Sequence, residues 1–96
     1  MRQIDKVLQD LGDPYDIQIF DGEDCIHRKL GNYEFEVSNT NHKRCILYVW
    51  TVSPKAVVAI YENIPTEQLK DVLGYYACIY QKLTDQFRVV RQDTEV

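Results

Sequence analysis

No run in these 96 residues approaches the ~18 apolar positions that a membrane-spanning helix needs, so no membrane partner is expected. Positive charge is also short. Eleven Lys and Arg stand against fifteen Asp and Glu, the net charge is −4, and no basic run occurs. Double-stranded nucleic acid, which usually meets a basic face, is therefore not an expected partner. The acidity is too mild for a dedicated nucleic-acid mimic. Cysteines are few and odd in number: Cys25, Cys45 and Cys78 fit reduced thiols in a cytoplasmic setting better than a disulfide framework. The four glycines are scattered, and no nucleotide-binding or catalytic signature is present, so neither a cofactor nor an enzyme is expected. Met1-Arg2-Gln3-Ile4-Asp5 leads into no apolar segment, so no secretory signal is expected.

What is present is an ordinary globular composition, 45% apolar, which argues against intrinsic disorder. The length fits one domain over 1–96 that buries roughly 60–65% of its unfolded surface, with 92–96 expected to fray.

Two runs dominate: Arg44 to Val52 and Ala56 to Tyr61, separated by Ser53-Pro54-Lys55. They are rich in β-branched and aromatic residues and read as two strands and a turn. A strand covered on one side alternates apolar with polar. These do not alternate, so something must cover the second face. Ile46, Tyr48, Trp50, Val58 and Ile60 share one parity; Leu47, Val49, Val57 and Ala59 share the other. The first set, bulkier and more aromatic, is the expected interaction surface, with the opposite parity (Leu47, Val49, Val57) as the alternative.

The remaining segments supply the rest of a fold. Ile4, Val7, Leu8 and Leu11 make a short amphipathic helix, stopped by Gly12 and Pro14. Tyr15 to Phe20 alternates and meets Asp21-Gly22, a hairpin signal. A weaker strand runs from Asp24 to Lys29. After Leu30-Gly31-Asn32, Tyr33 to Ser38 alternates strictly, with one wet face. A second helix is expected from Pro65 to about Leu83, capped by Thr66, with a stripe of Leu69, Val72, Leu73, Tyr76, Ile79, Tyr80, Leu83 and Phe87. Gly74 inside it suggests close approach to the sheet. Phe87 to Arg91 reads equally as a last strand or a helix tail. Leu8 and Leu73, central on their stripes, are expected to be buried. The short connections favour an antiparallel meander of about five strands packed against an N-terminal and a C-terminal helix, an α+β two-layer sandwich. With one helical layer, one sheet face should stay bare.

Several groups invite a chemical role. Cys25, His27, His42 and Cys45 are the one set with metal-ligand chemistry, at a C-x-H…H-x-x-C spacing unlike standard zinc signatures. The plainer reading has both cysteines as small buried hydrophobes and both histidines as surface residues. The same residues suggest a Cys-His nucleophile pair, with no evident oxyanion donor. Tyr75, Tyr76 and Tyr80 on the helix, with Tyr48, Trp50 and Tyr61 on the strands, suggest base stacking by a single-stranded nucleic-acid binder, but the neighbours are not basic. Asp21, Glu23, Asp24, Glu34 and Glu36 form an acidic set. A solvated face that discourages edge pairing is preferred to a patch for a basic partner. The first expectation is thus a small non-enzymatic cytosolic interaction or regulatory module, including an inhibitory one. It would act through an apolar-aromatic sheet face on another protein or on its own copy as a homodimer. A zinc- or thiol-dependent site and a single-strand binder are the alternatives.

Overall fold

The computed structural model describes residues 2–94, and side chains as far as Gln86. Gln3–Leu11 form α1, followed by β1 (Asp16–Phe20), β2 (Glu23–Leu30), β3 (Tyr33–Ser38), β4 (Arg44–Thr51) and β5 (Ala56–Pro65). A 3-10 turn at Thr66–Gln68 leads into α2 (Leu69–Thr94). All strands pair antiparallel in the order β1-β2-β3-β4-β5, giving the expected α+β meander with a helix at each end. No helix among the described residues is long and apolar enough to cross a membrane.

Local chemistry fixes the turns. Asp21 (φ 52°) and Gly22 (φ 76°) both take positive φ, as a two-residue type I′ hairpin requires, and Phe20 pairs with Glu23 across it. Gly12 (φ 67°) ends α1 and its N–H donates to the Leu8 carbonyl at 2.8 Å. Gly31 combines φ 61° with a close approach: a Cβ there would lie 2.7 Å from Thr84 of α2.

Both helices lie on one side of the sheet. Ile26, Phe35, Val37, Leu47 and Val49 from the strands form a single buried cluster with Ile4 of α1 and with Leu69, Leu73, Ala77 and Tyr80 of α2. Lys70 of α2 and Asp10 of α1 come within 3.9 Å of each other on that side. Tyr61 and Tyr80 join hydroxyls at 3.0 Å, and Tyr61 stacks on Tyr76 with centroids 4.0 Å apart. Leu73 is fully buried as expected, but Leu8 is only half-buried. α1 sits at the flank of the layer and sinks only Ile4.

The second helix differs from its sequence reading in three ways. Thr66 does not cap it: its hydroxyl donates to the His42 carbonyl at 2.6 Å, tying the β3–β4 turn to the end of β5. Gly74 is exposed with nothing within 4 Å of a would-be Cβ, so no close approach explains it. Leu83 is 41% exposed, because the buried line runs through Ala77, Tyr80 and Thr84 instead. Residues 87–91 continue the helix, as do Gln92 to Thr94; the side chain of Phe87 and residues 95–96 lie outside the described residues.

Candidate functional site

Among the described residues, nothing covers the sheet face opposite the helices. In β4, Cys45, Leu47 and Val49 are fully buried against the helices, so Ile46, Tyr48 and Trp50 project the other way. The parity left open by the sequence is thereby decided for β4. In β5 simple alternation fails. Val49 pairs with Ala59 but Trp50 pairs with Val57, which makes Val58 the extra residue of a bulge. Val57 therefore joins the Tyr48 and Trp50 face, contrary to its expected grouping with Leu47 and Val49, and Val58 does not continue the Ile60 parity. Ile60, opposite Tyr48, stays on the bare face. Val57, Val58 and Ile60 are 40%, 51% and 51% exposed, well above the strand residues of the core.

Register brings the acidic set next to these aromatics. Glu34 pairs with Trp50, and Glu36 with Tyr48. Further across, His27 stands opposite both Glu36 and Asp16. The bare face is thus graded: polar on β1 and β2, carboxylate on β3, aromatic on β4, aliphatic on β5. A hollow of about 380 Å³ opens in it. Carboxylates of Asp21, Glu23, Glu34 and Glu36 line it together with Phe20, Tyr48, Trp50 and Val57, and Lys55 is its one cation.

The electrostatics follow from this crowding. Burial pushes the Glu36 carboxyl above its ordinary range; the Trp50 indole opposes this, while Asp21 and Glu23 add to it. The Trp50 Nε1 is itself buried without a hydrogen bond of ordinary geometry. Glu23 accepts the Asn39 backbone N–H at 2.7 Å, and Glu34 lies 3.7 Å from His27 Nε2, an ion pair only when the imidazole is protonated. Among the described residues, neither Asp21 nor Glu36 has an ion-pair partner. The Lys55 ammonium stands 5.7 Å from the Trp50 ring centroid, within cation–π range.

The metal-ligand set is not assembled. Cys25 and His27 lie on the bare face, Cys45 is buried on the helix side with its thiol toward the Ile64 carbonyl at 3.5 Å, and His42 is exposed in the β3–β4 turn. The sheet itself separates the two cysteines. Among the described residues no group of three or more His, Cys, Asp or Glu is placed to hold a metal ion. Burial, then Glu23 and Glu36, push the Cys25 thiol up to about 12, and burial raises that of Cys45. His27 Nδ1 is engaged by Asp16 and by Gln18, each at 3.0 Å. Of the six aromatics that suggest base stacking, only Tyr48 and Trp50 reach the bare face. Tyr61, Tyr76 and Tyr80 pack between sheet and helix, and Tyr75 lies on the outer side of α2.

Sequence reasoning found the acidic set and the aromatic set but not their juxtaposition. A signal was available: in a meander the wet face of β3 is flush with one face of β4, so Glu34 and Glu36 must neighbour one β4 parity. Comparison with protein families, with curated proteins and with solved structures gives no match to this chain.

Proposed function

We propose that this protein is a non-enzymatic interaction module that acts by occupying another protein through the bare face of its sheet, with Tyr48, Trp50, Val57 and Ile60 as the contact core. One observation carries the reading: both helices cover the same face, so a contiguous aromatic and aliphatic strip on β4 and β5 stays open beside a hollow. Strips of this kind on small domains mark association sites, and Tyr and Trp supply most interface hot spots. An accessory or inhibitory role suits a domain in which, among the described residues, the Cys25, His27, His42 and Cys45 set is not brought together. The three free cysteines suit a reducing compartment such as the cytosol.

The test is a comparison of wild type with Tyr48→Glu, both checked for folding by circular dichroism. Sedimentation velocity is run on each across a concentration range and with proteins recovered from its own cytosol. Complex formation by the wild type that Tyr48→Glu abolishes, with its fold intact, supports the bare face. A complex that survives Tyr48→Glu refutes it.

A further inference from the structure

The gradient across the bare face says what kind of partner fits it. The aliphatic and aromatic strip of β4 and β5 lies directly beside the carboxylates of β3, one strand spacing of about 4.8 Å away. Carboxylates outnumber cations around the hollow four to one, and among the described residues Glu36 is partly sunk there with no cation at ion-pair distance, Lys55 acting on it only from further off. The single cation, Lys55, already rests over Trp50, so the chain's own lysine marks the chemistry that this surface accepts. The strip also runs past the hollow to Ile60, which does not line it and is 51% exposed, so a small amine would leave that end of the strip uncovered.

We propose that this face seats a basic amphipathic segment of a partner protein, its apolar residues on Tyr48, Trp50, Val57 and Ile60 and a lysine or arginine entering the hollow between Glu34, Glu36 and Trp50, in place of Lys55. The inference rests on the binding-face reading above. A second copy offers less: stacked β3 on β3 it sets carboxylates against carboxylates, and stacked β3 on β5 it presses them onto aliphatic side chains with no counter-charge. Phosphate-bearing partners meet the same repulsion. A basic segment gains both the apolar contact and the complementary field, which also speeds encounter.

The sole tryptophan of the chain is Trp50, so its emission reports on the hollow directly. Three synthetic peptides are titrated into the whole protein: lysine alternating with leucine, glutamate alternating with leucine, and lysine alternating with serine. The lysine–leucine peptide is expected to bind saturably with a Trp50 signal, more weakly as salt rises, while the other two bind at least about tenfold more weakly. The double variant Glu34→Gln, Glu36→Gln should weaken the lysine–leucine peptide by about tenfold or more. Glu67→Gln, exposed in the 3-10 turn away from the hollow, should not. Lys55→Ala should tighten binding about two- to fivefold by removing the internal competitor, and Lys82→Ala, exposed on α2 at the other side of the sheet, should tighten it less. Equal binding of the glutamate–leucine peptide, or an equal loss with Glu67→Gln, overturns the basic-segment inference while leaving an uncharged binding face standing. Silence from all three peptides also overturns the inference, and the Tyr48→Glu comparison then decides the face itself.

Discussion

Adjacent positions on β4 should respond to the same substitution to very different degrees. Leu47 is fully buried, paired with Val37 on one side and Tyr61 on the other, under the helices. Leu47→Glu removes a core side chain worth about 2–5 kcal/mol and buries a carboxylate with no partner, which costs several kcal/mol more. A 96-residue domain has roughly 5–14 kcal/mol of stability at ~0.05–0.15 kcal/mol per residue, so this one change should unfold it. Tyr48 is half-buried on the bare face, between Glu36 and Ile60. Tyr48→Glu loses part of an aromatic contact and sets one carboxylate opposite another, at a cost of about 1–2 kcal/mol. That corresponds to a fall in Tm of roughly 5–15 °C for a domain of this size. Thermal melts followed by far-ultraviolet circular dichroism separate the two. A cooperative melt from Leu47→Glu near that of the wild type, or an unfolded Tyr48→Glu, would mean that the faces are assigned the wrong way round.

Other perturbations probe the same architecture. Leu73→Ala, at a fully buried site of α2, should cost about 2–5 kcal/mol in urea unfolding, and a loss below about half a kcal/mol would contradict the two-layer packing. Gly74→Ala, at an exposed helix-interior position with open space around it, should stabilise by about 0.4–1 kcal/mol; a loss in the same melts would mean that the position is crowded. Gly31→Ala should destabilise, since the residue has φ 61° and its Cβ would meet Thr84, and an unchanged Tm would contradict that contact. Glu36→Gln tests the electrostatics. Because the folded-state pKa of Glu36 is raised, ionisation penalises the folded state. That penalty is absent below the unfolded value of about 4.3 and complete once the pH exceeds the raised folded value. Glu36→Gln should therefore melt higher than wild type at neutral pH, with the advantage vanishing as the solution is acidified through the carboxylate range. An advantage that grew on acidification would give the opposite sign.

Much of the fold was legible because local chemistry and global pattern agree. Asp21-Gly22 had to turn, Gly12 had to end α1, and the strict alternation of Tyr33 to Ser38 fixed which face of β3 is wet. What was not legible depended on contacts between segments. Both parities of β4 are apolar, so only the helices decide between Leu47 and Tyr48. Val57 and Val58 are chemically identical, and nothing local says which one the bulge absorbs. Thr66 looked like a cap because caps are local, yet a carbonyl 24 residues away, that of His42, claims its hydroxyl. The tail of α2 carries no Gly or Pro that would stop it, which left residues 87–91 open between strand and helix. Cys25 and Cys45 looked like companions until the sheet placed them on opposite sides. The acidic residues of β3 seemed a solvated face because their aromatic neighbours are remote in sequence: Glu36 is 12 positions from Tyr48 and directly opposite it in the register.

The most direct measurement is a map of backbone amide shifts by nuclear magnetic resonance as the lysine–leucine peptide is added. The expected result is a contiguous set of changes at Glu34, Glu36, Tyr48, Trp50 and Ile60, with the outer positions of α2 such as Tyr75 and Cys78 unmoved. Changes centred on α1 and α2, with β3 to β5 silent, would contradict the claim that the uncovered sheet face is the one that binds.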